Sequence, residues 1–182
     1  MFRIICIHAG IQSLAAHRER LAAHPDDYRP VCCPYCHHTT LHRHGCYYRL
    51  ADRTHTLAES LNPVAIPRYR CARCRSTCSM LPQCLPPRRW YEWSTQQQAL
   101  QGYLAGHSYR QLATTLLPSR TTIARWIAHF KQRWPVHADG LRQQITCLRL
   151  TQTFNTFWQT CLSQLSLSAS MFRLHQAHIS IP

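Results

Sequence analysis

Cys33-Pro34-Tyr35-Cys36 and Cys71-Ala72-Arg73-Cys74 are the residues whose types and spacing could do chemistry. Two C-x-x-C pairs offer four thiolates, the donor set of a closed tetrahedral Zn²⁺ site with no position left open for a substrate. Cys33, Cys36, Cys71 and Cys74 are therefore the expected ligands. Cys32 could stand in for Cys33, and one of His37, His38, His42 and His44 could replace a thiolate. A redox dithiol would need its C-x-x-C at a helix start, where the thiol pKa is lowered. Both pairs adjoin strand-like runs instead. The remaining thiols, Cys6, Cys46, Cys78, Cys84, Cys147 and Cys161, read as fillers of apolar gaps.

Charge narrows the kind of partner. The chain carries 21 Lys+Arg against 7 Asp+Glu, a formal net charge of +14. Lys131 is its one lysine, so the positive field is guanidinium, which forks onto phosphate and stacks on bases. A polyanion, double-stranded DNA above all, is the expected partner. The acids Glu19, Asp26, Asp27, Asp52, Glu59, Glu92 and Asp139 are scattered, which argues against metal-dependent hydrolysis or strand transfer. No phosphate-cradling G-x-x-x-x-G-K-[ST] loop is present, so the chain reads as a non-enzyme. The N-terminal apolar run is only Ile4-Ile5-Cys6-Ile7, too short for a secretion signal, and no stretch is long enough to span a bilayer. With eleven cysteines and no leader expected, a reducing compartment follows: cytoplasmic and nucleoid-associated.

The elements that must position these residues fall into four segments. Residues 1–30 read as a strand (Arg3–Ile7) and a helix (Ile11–Ala23) in which charge nearly cancels, a support rather than a binding face. Residues 31–93 hold the knuckles. Leu41–Leu50 and Val64–Arg70 are predicted to pair as antiparallel strands across a polar connection, Ala51–Pro63. Leu81-Pro82 and Pro86-Pro87-Arg88-Arg89 then read as an extended linker. This segment carries nine arginines against three acids.

Residues 94–139 switch to helical period. Thr95–Leu104 forms a first helix, and Ser108 with Gln111 makes a capping box for a second. A third starts at Ser119 and carries Ile123, Trp126, Ile127, Phe130 and Trp134 as one apolar stripe. Pro135 is expected to stop it. The turn Leu117-Pro118-Ser119 between the last two fits a helix-turn-helix. The outer face of the third helix carries Arg120, Thr121, Arg125, Ala128 and Gln132, small and basic groups suited to a major groove. Residues 140–182 place Leu141, Ile145, Leu148, Phe154, Phe157, Trp158, Cys161, Leu162 and Leu165 along one long or broken amphipathic helix. That tail would dock on the helix-turn-helix or pair two chains into a homodimer.

The order Cys33-Pro34-Tyr35-Cys36, His42-Arg43-His44-Gly45, then Ile66-Pro67-Arg68-Tyr69-Arg70-Cys71-Ala72-Arg73-Cys74 resembles the zinc ribbon of bacterial insertion-sequence transposases. Met80-Leu81-Pro82 and the helix-turn-helix resemble the DNA-binding half of those proteins, and also small stand-alone bacterial proteins of similar layout. The resemblance covers residues 30–135. It departs in having His37 and Arg75 where such knuckles place glycine, and in the 34 residues (37–70) between the pairs. The acidic catalytic domain of those transposases has no counterpart here. The expected fold is thus α+β. A small zinc-ribbon β-hairpin domain (31–93) follows the N-terminal strand and helix (1–30); an all-α helix-turn-helix bundle (94–139) and a C-terminal helical tail (140–182) complete the chain.

The resemblance implies a transposase-derived or mobile-element-associated factor or regulator, with a transposase or other mobile-element protein as a further partner. The reading helix would use Arg120, Thr121, Arg125 and Gln132, and the ribbon would hold phosphates with Arg43, Arg68, Arg70 and Arg73. Two other readings stay open. One is a protein–protein adaptor working through the tail; the other is RNA binding through stacking on Tyr47, Tyr48 and Tyr69.

Overall fold

Four strands pair into one sheet in the order β1-β4-β3-β2: β1 (Ile4–His8), β2 (Leu41–Arg49), β3 (Val64–Cys71) and β4 (Thr77–Pro82). They belong to a computed structural model that describes residues 4–51 and 61–181. Arg3, and residues 52–60 of the polar connection, lie outside the described residues. The whole is mixed α+β and divides into two units, Met1–Trp90 and Tyr91–Pro182.

In the first unit, β2 and β3 are the antiparallel pair expected from the knuckle flanks, with Leu41 opposite Cys71 and Arg49 opposite Val64. Their register slips between Arg43 and Cys46, where β2 carries one residue more than β3. Gly45 sits in this bulge at φ +70, a conformation that favours glycine. Pro67 lies opposite Cys46. Having no N–H to give, it fits inside a paired strand only where the ladder is already interrupted.

Of the stretch read as a linker, Leu81-Pro82 is part of the core, while Arg88 is exposed. Leu81 and Pro82 close β4, and Leu81 and Leu85 are fully buried. The reason is pairing: β4 runs antiparallel to β3 and parallel to β1, whose Ile7 and His8 face Leu81 and Pro82. At the strand's end Pro82 no longer needs to donate within a ladder.

Helix α1 (Leu14–Ala23) is capped by the Ser13 hydroxyl, which accepts from the Ala16 amide, and is followed by a 3₁₀ turn at Pro25–Tyr28. A buried brace ties both to the sheet. The Nε2–H of His17 donates to the Ala65 carbonyl at 2.8 Å, which leaves Nδ1 to accept from the Tyr28 hydroxyl at 2.6 Å. Tyr69 donates from its hydroxyl to the Pro25 carbonyl at 3.0 Å. Burial lowers the His17 pKa, and the Ala65 bond only partly offsets it, which favours the neutral ring.

The second unit is helical: α2 (Trp93–Leu104), α3 (Tyr109–Thr115), α4 (Arg120–Arg142), α5 (Phe154–Gln164) and α6 (Leu167–Gln176). The Ser108–Gln111 capping box is present at α3. Gly102 allows α2 and α3 to approach, since a Cβ there would collide with Leu112. Pro135 does not stop α4, which runs seven residues further, to Arg142. The carbonyl that loses its partner is that of Lys131, and both residues lie on the exposed side, where water can satisfy it. Beyond them His137, Ala138 and Leu141 are buried in the core and hold the helix to its course.

The C-terminal segment is a 3₁₀ turn (Thr146–Leu150), α5 and α6 rather than one long helix. Its apolar side chains, Leu148, Phe157, Trp158, Cys161, Met171 and Leu174 among them, pack inside this unit around Phe130 and Ile127. Phe130 and Trp158 meet edge to face at 5.5 Å. Of the thiols read as gap fillers, Cys78, Cys84 and Cys161 are buried and Cys6 and Cys46 half-buried. Cys147 is exposed and fills no gap, because the turn that holds it buries only Leu148.

Candidate metal centre

The two knuckles are built alike. In the first, the Cys33 carbonyl accepts from the His37 amide at 2.9 Å, and the Cys33 amide donates to the His38 carbonyl at 2.8 Å. In the second, Cys71 makes the same two bonds with Arg75 and Ser76, at 3.1 and 3.0 Å. Closing a turn this tightly forces the residue after the second cysteine into the left-handed region. His37 stands there at φ 56 and Arg75 at φ 59. Glycine is absent but the geometry that favours it is kept, at a cost of about 1–2 kcal/mol per residue. The Ala72 amide donates to the Thr40 carbonyl at 3.1 Å and fixes the second knuckle against the start of β2.

These turns bring together two pairs of sulfurs whose residues stand 35 or more positions apart from one pair to the other. All four Sγ atoms of Cys33, Cys36, Cys71 and Cys74 lie within 4.8 Å of one another. Cys33 and Cys74 are 3.6 Å apart, as are Cys36 and Cys71. Four sulfurs each about 2.3 Å from one ion at tetrahedral angles would stand about 3.8 Å apart, so the cluster fits a metal ion. A disulfide would need about 2.05 Å, and all four are free thiols. Cys32 and the nearby histidines lie outside this cluster.

The thiols are unequal. The Ser76 hydroxyl and amide hold the Cys74 thiol down at about 6. The His38 amide also favours the Cys36 thiolate, but desolvation and the Cys74, Cys71 and Cys33 thiols outweigh it and push Cys36 up to about 11. Burial raises Cys33, against the Tyr35 amide that donates to its sulfur at 3.5 Å. Four sulfurs this close cannot all ionise unless a cation sits between them. Every donor is a cysteine, the set that structural sites use, and Cys33 and Cys71 are each 1% exposed and form part of the sheet core.

The residues expected to meet DNA fall on both units. On α4, Arg120, Thr121, Arg125 and Gln132 are all exposed, as is Ala128, while Ile123, Trp126, Ile127 and Phe130 are buried. Trp134 is only half-buried. In the first unit Arg43, Arg70 and Arg73 are exposed. Arg68 is half-buried, and its Nε is buried without a hydrogen-bond partner. Arg43 and Arg70 line a groove beside the second knuckle together with His42, His44 and Arg75. The sequence reading did not assign Arg75 to binding; the one signal available was its place after a knuckle where glycine is usual. The three-tyrosine stacking face is not built. Tyr69 is 0% exposed, committed to the core by its bond to Pro25, and only Tyr48 stands open.

Fold and site together define an α+β protein with a four-cysteine centre able to hold a metal ion. Residues 33–126 match a domain of unknown function, DUF6431, over more than half of the chain, and the chain belongs to that family. The matched region starts at the first ligand and ends within α4. No curated protein and no solved structure matches the chain. No helix among the described residues is long and apolar enough to cross a membrane.

Proposed function

We propose that this chain is a non-catalytic, zinc-stabilised DNA-binding protein in which α3 and α4 form a helix-turn-helix and α4 is the reading helix. The observation that carries the reading is the division of α4. One side buries Ile123, Trp126, Ile127 and Phe130, and the other offers Arg120, Thr121, Arg125 and Gln132 to solvent, with no acid before Asp139. The four-residue connection Leu116–Ser119 after α3, with Ser119 capping α4, supports the same motif. Arg120, Thr121 and Arg125 lie in the first two turns, where a reading helix meets base edges; an Arg fork there suits guanine O6 and N7.

Zinc is the ion an all-thiolate tetrahedral set selects over harder divalent cations. Its role is to hold the sheet unit in shape, with Arg43, Arg70 and Arg73 contributing phosphate contacts. The motif order that resembles insertion-sequence transposases is the sole support for a link to mobile DNA, as a factor or regulator at the nucleoid.

The test is selection of binding sites from random duplexes with the metal-loaded full chain, followed by a salt titration. A recurrent sequence should be enriched, and log K should fall linearly with log salt by about 0.9 per neutralised phosphate. Failure to retain any duplex, or binding indifferent to salt, would overturn the reading.

A further inference from the structure

Beside the second knuckle lies a groove of about 470 Å³ lined by His42, Arg43, His44, Arg70 and Arg75. Three consecutive residues of one strand do not ordinarily line one concavity, because alternate side chains leave opposite faces of a sheet. Here the groove lies where the strand becomes irregular: the register slips between Arg43 and Cys46, Gly45 turns the chain at φ +70, and residues 42–45 are all exposed. His42 is paired directly with Arg70 across β2 and β3, so their side chains stand side by side on one face. The turn of the second knuckle adds Arg75.

Two features point to an anion. Among the described residues the ion pairs are Arg20–Asp27 and Arg29–Asp26, and no carboxylate neutralises Arg43, Arg70 or Arg75. Three guanidiniums around one concavity repel one another until an anion enters. Arg75 also holds φ 59, where glycine would sit without strain. From that position its side chain lines the groove. The volume exceeds that of a lone phosphate and lies in the range of about 300–1,000 Å³ that accommodates an organic ligand.

We infer that this groove is a phosphate site whose ligand is the backbone of one DNA strand, two successive phosphates lying against Arg70 and Arg75 with Arg43, His42 and His44 as further donors. The assignment of DNA rests on the reading of α4 given above; the groove adds a second, sequence-independent grip on the other unit.

The test uses the metal-loaded full chain and three variants: Arg70→Gln, Arg75→Gly and, as control, His37→Gly. Both glycine variants relieve the same left-handed strain and should fold at least as well as the parent, but His37 does not line the groove. Each is titrated calorimetrically with inorganic pyrophosphate at fixed ionic strength, and its binding to a duplex is followed against salt. Pyrophosphate should bind the parent and His37→Gly alike and at least tenfold more weakly to the other two. On duplex, Arg75→Gly should lower the salt slope by about 0.9, the share of one phosphate. Pyrophosphate binding that needs Arg70 and Arg75 in a chain that holds no duplex would uphold the phosphate site and overturn the assignment of DNA. Duplex binding with an unchanged slope in both variants, and pyrophosphate taken up as by the parent, would overturn the groove and leave the α4 reading standing.

Discussion

Removing the metal should melt one unit and spare the other. Cys74→Ser is the informative perturbation, because Cys74 is exposed and its loss leaves no cavity, whereas Cys33 and Cys71 are core residues. Free metal at a thousandfold excess over its Kd stabilises a folded unit by about 4 kcal/mol. The first unit, Met1–Trp90, has an unfolding entropy of about 190 cal/mol/K at about 2.1 per residue, so that much stabilisation raises Tm by about 20 °C. The second unit has its own core and no ligand of the cluster. The two can be watched separately. Trp93, Trp126, Trp134 and Trp158 lie in the helical unit, and a Trp90→Phe background removes the only tryptophan of the sheet unit. In that background, chelation or Cys74→Ser should abolish or lower the sheet transition in circular dichroism by about 20 °C while tryptophan fluorescence melts as before. A sheet transition that stays within a few degrees, or a tryptophan transition that falls in step with it, would refute the argument that the cluster is a metal clip of one unit.

Three further outcomes follow from the same geometry. Under the proposed reading, in which Arg125 reads bases and Arg70 holds phosphates, Arg125→Ala should flatten base preference in a site selection while Arg70→Ala lowers affinity for all duplexes alike. His137, fully buried in α4 with Nε2–H on the Ser180 carbonyl, has its pKa pushed down to about 4 by burial. The unfolded chain then binds the proton more readily, so stability of the helical unit should be complete above about pH 6.5. About 3 kcal/mol should be lost as pH falls toward 4. Urea melts by tryptophan fluorescence across that window should show the slope, and His137→Gln should remove it. Tyr28→Phe strips the donor from the His17 Nδ1 and should destabilise the sheet unit by about 1–3 kcal/mol in denaturant melts, with no change at the helical unit.

Much of the site was legible because its signals are local. A C-x-x-C pair announces its ligands by spacing, and a capping box or an i, i+3, i+4 stripe declares a helix within ten residues. The expected antiparallel pairing of β2 and β3 followed from strand patterns flanking both knuckles. What failed to show was non-local or depended on solvent. Leu81-Pro82 reads as a linker until β1 and β4 are seen side by side. Pro135 reads as a stop because propensity cannot know that its missing bond faces water while Ala138 and Leu141 are held in a core. Tyr69 reads as an exposed stacking ring until its hydroxyl is found on Pro25.

By itself, then, the sequence determined which four sulfurs could share an ion, which helix has a basic face and which class of fold carries them, because those properties repeat within a turn or a strand. Only the tertiary structure decided that the sulfurs meet within 4.8 Å, and that both knuckles keep a left-handed turn without glycine. The groove of His42, Arg43, His44, Arg70 and Arg75 is likewise a tertiary feature. It joins one strand, its register against another and a turn beyond it, and no spacing along the chain encodes that meeting.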